Sequence, residues 1–398
     1  MTDYPFSSSV LHPLIESGLK ASSKPMKKLV LLGGGHAHVE VLRRFGQQPM
    51  SGVEITLVSP DRHTPYSGML PGLVAGHYAF DDAHIDLEPL ARYAGARFLQ
   101  TGASAMDAAR RSLTLADGSA IDYDTLSIDI GSTPPAHAIA GAAEHTIPVR
   151  PVKEFLAAWE TIVTRVRDGD VRSIAMVGGG AAGVEVLLAM QHRLLQPRTP
   201  HEMRYVLVTD TAQLLMNHAR GVRATLTHNL ARKQVEVHCA TRVASVEAKT
   251  LVAENGARIE ADAIFLASGA SAPRWLAASG LAVNDKKFIN INKYLHSTSY
   301  AEVFAAGDCA TIEGKVYPKS GVYAVRQGPL LTENLRRFLR GDALIEYTPQ
   351  ARALALISTG DQHAIASWGA LSFHGNWVWR WKDQIDRAFM AMYRPPWR

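Results

Sequence analysis

Two glycine-rich segments carry the spacing that most restricts the chemistry. Leu29–Glu40 reads Leu-Val-Leu-Leu-Gly-Gly-Gly-His-Ala-His-Val-Glu, and Ile174–Glu185 reads Ile-Ala-Met-Val-Gly-Gly-Gly-Ala-Ala-Gly-Val-Glu. In each, an apolar run predicts a buried parallel strand, and the glycines predict a sharp turn into a helix. Gly33 suits the backbone angles of a tight turn, and Gly35 lets the main chain approach a pyrophosphate. The N–H groups and partial positive charge of the helix start, near His36 and Ala37, would hold that phosphate. The second segment is a full match through Gly178, Gly180 and Gly183, with Ala182 at its helix start. In the first, His38 stands in the third glycine position, which serves only helix–strand packing.

Other chemistry-bearing residues fall at the ends of apolar runs. Ser59 ends the strand Val53–Val58, where an acidic residue normally grips a ribose hydroxyl, and Arg62 follows shortly. Asp210 ends the matching strand Arg204–Val208. Asp308 follows Val303-Phe-Ala-Ala-Gly307, and a carboxylate there can accept hydrogen bonds from polyol hydroxyls. Glu185 lies in the first turn of the second helix, where the helix dipole favours an acid whatever its role. Cys239 and Cys309 are the only cysteines and form no C-x-x-C pair. This excludes a metal knuckle and a redox disulfide motif, and it points to a reducing compartment. No metal site is expected.

These residues need elements to position them, and the chain supplies the same set twice. The first glycine, a hairpin turn and a later strand-end glycine occur at Gly33, Asp117-Gly118 and Gly131. They recur at Gly178, Asn255-Gly256 and Gly269. Gly102-Ala103 with Asp107 mirrors Arg242-Val243 with Glu247. Two copies of one nucleotide-binding unit follow. Pro148–Pro151 marks a junction before a helix over Val152–Val166, and Ser320–Leu339 has helical periodicity. Residues 1–25 read as a loose extension before Met26, with a short helix at Leu11–Lys20 as the alternative. With 398 residues, 47% hydrophobic and 20% charged, the chain can build two or three cored domains. A net charge of +5 without a reading helix or stacking platform argues against nucleic acid. There is no apolar run able to span a bilayer and no secretory signal.

The two fingerprints in order, the strand–Gly junctions at Gly131 and Ala267-Ser-Gly269, and Gly307-Asp308 together resemble the two-dinucleotide-binding-domain flavoproteins of the pyridine nucleotide-disulfide oxidoreductase superfamily. The resemblance covers about residues 28–340. It implies an α/β fold of two Rossmann-like domains, the FAD domain being discontinuous, with a C-terminal appendage. The implied division is an extension over 1–25, FAD domain over 26–150 and 286–345, NAD(P)H domain over 151–285, and appendage over 346–398. FAD would contact Gly33, Gly35, His36, Ala37, Ser59, Arg62, Ala103, Gly131 and Asp308. NAD(P)H would contact Gly178, Gly180, Ala182, Gly183, Glu185, Asp210, Val243 and Gly269. Glu185 beside the nicotinamide, and Lys319 before a helix aimed at the flavin, are the catalytic candidates. No basic residue follows Asp210 before Arg220, which favours NADH over NADPH.

Without paired cysteines the disulfide-reductase branch is excluded. The chain looks most like type II NADH:quinone oxidoreductases. Its Gly-Gly-Gly-His-Ala-His-Val-Glu start and Trp-rich end also resemble the flavoprotein domain found fused to selenide, water dikinase. Implied acceptors are a quinone or, alternatively, a selenium or sulfur compound or a protein. A flavin-bound sensor with little turnover is a further alternative. In the helix after Lys319 only Gln327 keeps the amide of the quinone-reducing pattern, with Val322 and Tyr323 where another glutamine is expected.

The C-terminus holds five of the seven tryptophans: Trp368, Trp377, Trp379, Trp381 and Trp397. On a helix from about Asn376, residues Trp377, Trp381, Ile385, Ala388, Phe389 and Met392 share a face. Arg380, Lys382, Asp383, Asp386 and Arg387 fall mainly away from it. Such a helix over 376–393 can lie in a membrane interface, or pack on the body or across a homodimer. The implied location is the cytoplasm, with peripheral attachment to the cytoplasmic face of the membrane if the helix meets lipid.

Overall fold

The computed structural model describes residues 26–397 except 134–138, 196–201, 268, 316–318, 320 and 351–352. The N-terminal extension and the alternative helix at Leu11–Lys20 lie outside the described residues. The elements used below, in chain order, begin with β1 (Lys27–Leu32), α1 (His36–Gln47), β2 (Val53–Val58), β3 (Arg97–Leu99), β4 (Thr125–Ile128) and β5 (Ile147–Pro148). They continue with α2 (Val152–Arg167), β6 (Ser173–Val177), α3 (Ala181–Leu194), β7 (Arg204–Val208), β8 (Val235–His238), β9 (Ala263–Leu266) and β10 (Val303–Ala305). Last come α4 (Gly321–Arg340), β11 (Ala355–Ser358), β12 (Ala364–Trp368), β13 (Leu371–Gly375) and α5 (Asn376–Ala391).

Two five-stranded sheets result, with orders β10-β4-β1-β2-β3 and β5-β9-β6-β7-β8. All their pairings are parallel, so both faces need helical cover and the strands read as apolar runs. The repeat extends to single hydrogen bonds. Gly33 N donates to Val58 O at 2.7 Å, and Gly178 N to Val208 O at 2.8 Å. Asp129 N donates to Leu32 O and Ala267 N to Val177 O, both at 2.8 Å. Each unit also carries a three-stranded antiparallel meander with an irregularity at the same place, Ala103/Ala105 in one and Val243/Ser245 in the other. The hairpin turns at Asp117-Gly118 and Asn255-Gly256 join the strands of these meanders.

The cores follow the same division. One gathers β1, α1, β2, β4 and β10 with Leu331 and Leu335 of α4, and so joins the segment around residue 300 to the N-terminal unit. Another is built on α2, β6, α3 and β7, with Trp159 and Phe155 set edge-on against Phe265.

The C-terminal strands β11, β12 and β13 form an antiparallel sheet that leads into α5. This appendage touches both units: Ile357 and Ile365 enter the second unit's core, while Phe389, Met390 and Tyr393 enter the first. The tie to the first unit is polar as well. Tyr393 Oη donates to Glu40 at 3.1 Å, and Glu40 is also gripped by Arg43 at 2.8 Å and Arg44 at 2.5 Å.

Burial raises the Glu40 pKa, but the two arginines outweigh it and hold the carboxyl below its ordinary value. A carboxyl lowered on folding contributes stability above its unfolded pKa and loses it as pH falls through the folded one. Glu40→Gln should therefore cost about 1–3 kcal/mol in urea unfolding at neutral pH. The gap to wild type should shrink once the pH drops below about 4.

Candidate functional site

The first cradle is formed where β1 ends. Gly33 has φ of +96°, and a Cβ there would lie 2.4 Å from Asp129 O, so only glycine fits. His38, in the third glycine position, is fully buried. Its Nδ1 lies 2.6 Å from Gly33 O and its Nε2 2.8 Å from Ser127 Oγ. In the second unit a Cβ on Gly183 would approach Gly178 O to 2.1 Å. Histidine thus replaces a close backbone contact with a side-chain bond to the equivalent carbonyl. Burial lowers the pKa of His38, and of His36, to about 4, so both are neutral imidazoles near pH 7.

His36 begins α1 and its ring meets Tyr66 edge-on at 5.7 Å. Tyr66 stacks on Phe389 of α5 at 4.4 Å. Across the cradle, Asp308 accepts from Arg150 Nη1 at 2.9 Å, and the same nitrogen reaches Ser132 Oγ at 3.1 Å. Gln327 of α4 is fully buried and its Oε1 accepts from Gly307 N at 2.7 Å. Two buried polar atoms here, His36 Nε2 and Gln327 Nε2, have no hydrogen-bond partner among the described residues. Such atoms, beside a helix start and a carboxylate suited to hydroxyls, fit the demands of FAD.

Other predicted contacts are placed as follows. Ser59 Oγ donates to Asp61 O at 3.0 Å, and Arg62 pairs with Asp86 at 2.7 Å and Glu88 at 2.8 Å. Ala103 opens the first meander, and Gly131 takes φ of +69° past the end of β4. Lys319 Nζ donates to Ala310 O and lies 4.3 Å from the Phe288 ring centroid.

The second cradle is open. A Cβ on Gly180 would meet nothing within 4 Å, and Ala182 is exposed. Asp210 is exposed at the end of β7, with Arg242 Nη2 3.8 Å away. Sequence proximity missed that arginine because it arrives from beyond the neighbouring strand β8. Val243 opens the second meander, and Gly269 has φ of +67° past β9.

Glu185 points away from its own helix start toward the appendage. Its Oε1 accepts from Ser358 N at 2.8 Å. Burial pushes its pKa up to about 7, against the lowering influence of the Lys382 ammonium. Lys382 itself pairs with Asp386 at 2.5 Å and donates to Gly68 O. Of the alternatives open for α5, the structure does not pack the Trp377–Trp381 face on the body. The buried side of α5 mixes Lys382 and Asp386 with Val378, Phe389 and Met390, while Trp377, Trp381, Ile385, Ala388 and Met392 face solvent. Phe389 leaves that stripe and is buried against Tyr66. Of the charged residues that fall away from the Trp face, Lys382 and Asp386 are held inside by each other and by the Gly68 carbonyl.

Residues 27–328 match the pyridine nucleotide-disulphide oxidoreductase family. The chain belongs to that family. FAD and NAD(P)H are its cofactors, and its chemistry is that of an FAD-dependent oxidoreductase. It is 25% identical over 266 residues to ferroptosis suppressor protein 1 of Taeniopygia guttata, spanning 64% of this chain and 67% of that protein. It is 21% identical over 345 residues to the type II NADH:quinone oxidoreductase of Staphylococcus aureus, spanning 81% and 85%. The sulfide:quinone oxidoreductase structure from Aquifex aeolicus shares the fold at a TM-score of 0.76 and 18% identity, over 92% of this chain and 91% of that one.

Both cysteines are free thiols. Cys309 is buried against Ala306 O, and burial pushes its pKa up to about 12. In Ellman titration of the folded protein only Cys239 should react, with Cys309 appearing on unfolding. Lys382→Met should move the titration of Glu185 above its value of about 7, read from a carboxyl infrared band that Glu185→Gln removes.

Proposed function

We propose that this protein passes electrons from NADH through FAD to a quinone at a membrane surface. In this reading the first cradle holds the ADP part of FAD, with Asp308 accepting ribityl hydroxyls, and the second cradle holds NADH. The domain division follows, with residues 26–150 and 286–345 serving FAD and 151–285 serving NADH. FAD supplies the acceptance of hydride from nicotinamide and the onward transfer of its electrons. The chain supplies position and electrostatics. Glu185, buried and bonded to Ser358 N, has a raised pKa that suits a group holding or releasing a proton near neutrality, and that supports keeping it as the catalytic candidate of this reading. The Asp210 carboxylate suits a ribose diol, which supports NADH, while exposed Arg242, 3.8 Å away, is the residue a 2′-phosphate would meet.

The observation that carries the acceptor assignment is the two-sided character of α5. Its inner side brings Phe389 and Lys382 to the aromatic recess beside His36 and Tyr66. Its outer side continues into β12 and β13 as an exposed apolar surface containing Trp368, Leu371, Phe373, Trp377 and Trp381. Trp377 is 54% exposed, and Trp377 and Trp381 stack on each other outside the body. Exposed Arg380, Arg387 and Arg394 accompany this surface. An apolar, Trp-bearing and basic surface suits the interface of an anionic bilayer. Among the described residues no helix is long and apolar enough to cross a membrane. A water-borne selenium, sulfur or protein acceptor is the second reading, favoured by Val322 and Tyr323 in α4 where the quinone-reducing pattern has an amide.

Anaerobic mixing with NADH should bleach the flavin band faster than NADPH does, and a short-chain quinone should restore it. Bleaching without restoration would transfer the proposal to the second reading, and no bleaching would favour a sensor. Trp377→Ser with Trp381→Ser should weaken sedimentation with anionic vesicles by about tenfold or more. Turnover with a water-soluble quinone should stay unchanged.

A further inference from the structure

The two cradles share a backbone but differ in what fills them. Asp129 follows β4 in the first unit where Ala267 follows β9 in the second, each donating its N–H back to the fingerprint strand. The Asp129 side chain occupies the start of α1. Its Oδ2 accepts from Ala37 N at 2.8 Å and His38 N at 3.2 Å. These are donors that an anion at a helix N-terminus uses. A Cβ on Gly35 would lie 2.3 Å from Asp129 Cγ, and one on Gly307 would lie 2.5 Å from its Oδ1. The carboxyl is therefore walled between two glycines, and the residue is 2% exposed. A Cβ on the equivalent Gly180 meets nothing. Gly35 is required here by a carboxyl as well as by any cofactor.

We propose that Asp129 couples FAD binding to the uptake of one proton, because the pyrophosphate and an Asp129 carboxylate cannot both be charged at the start of α1. The proposal rests on the first cradle being the FAD site. Two anions held at one buried helix start repel each other, and the cheaper outcome is protonation of one. The carboxyl has no room to withdraw, and a pyrophosphate does not protonate near neutral pH. One solvent proton adds to Asp129, and no other bond changes. Oδ2 then keeps its two N–H donors, and the added proton sits on Oδ1.

The groups around Asp129 leave it as the titrating member. From α1, His36 and His38 are both lowered to about 4 and stay neutral. From the turn after β10, the Cys309 thiol is pushed up to about 12, and Asp308 is paired with Arg150. Lys319 lies on Ala310 O, and Gln327 of α4 does not ionise. Burial, with the Asp308 charge adding to it, raises Asp129 to about 7, against two N–H donors that lower it. A group whose pKa rises further when ligand binds makes binding tighter at low pH, and the gain is lost above the free-protein pKa.

The test is FAD titration of the deflavinated protein, followed by flavin fluorescence between about pH 6 and 9, with calorimetry in two buffers of different ionisation heat. The wild-type Kd should rise about tenfold per pH unit above about 7, with close to one proton taken up per FAD near the top of that range. Asp129→Asn, which imitates the neutral acid, should bind with a flat pH profile and about tenfold or more tighter than wild type at the alkaline end. A flat wild-type profile without proton uptake overturns the proposal, as does an Asp129→Asn protein that keeps the wild-type slope. If Asp129→Asn does not fold, the wild-type proton count decides alone. Wild-type protein that binds no FAD at any pH, or a Gly35→Glu variant that binds it normally, overturns the cofactor assignment itself.

Discussion

Everything in this protein depends on a close approach of backbone to backbone where a central strand turns into its helix. At Gly33 the chain passes within van der Waals contact of the neighbouring strand end, where any side chain would push the two apart, and in the second unit Gly183 sits equally close to Gly178 O. That contact points the first N–H groups of α1 and α3 beyond the sheet edge, the place where an open parallel sheet offers its ligand site. The remaining strands fall into order around it, and the same order arises twice. What distinguishes the two sites is then a handful of side chains added to a common frame: Asp129 against Ala267, His38 against Gly183, Ser59 against Thr209.

In the C-terminal appendage, helix α5 buries charged side chains next to apolar ones. A surface helix normally buries its apolar stripe and exposes its charges. In α5 the buried charges are matched: Lys382 has Asp386 and the carbonyl of Gly68, and Asp383 takes the Tyr78 hydroxyl at 2.8 Å. A paired, hydrogen-bonded ion can be buried where an unpaired one cannot. The helix is thereby attached by Lys382 and Asp386 together with Val378, Phe389 and Met390, and Trp377 and Trp381 remain outside.

Much of the frame was legible in the amino-acid sequence because it follows from local rules. The strands Val53–Val58 and Arg204–Val208 and the helix from Asn376 fall where apolar runs and periodicity put them. The internal repeat was visible because glycines required by geometry recur at matched places. The hidden parts depend on long-range pairing. Asp129 looks like one polar residue at the end of a strand, and only the fold brings it to a helix start some ninety positions earlier. Arg150 meets Asp308 across a still longer separation, and Arg242 meets Asp210 from beyond the neighbouring strand. The inward side of α5 could not be read from its amphipathicity, because periodicity defines two faces but does not say which one the body accepts.

The appendage also has a mechanical consequence. Its sheet is anchored in the core of one nucleotide unit and its helix in the core of the other, with the Ser358–Glu185 bond at one end and the Tyr393–Glu40 bond at the other. It is a brace across the joint. Contacts made when the chain folds thus restrain the angle between the two units from outside either nucleotide cradle.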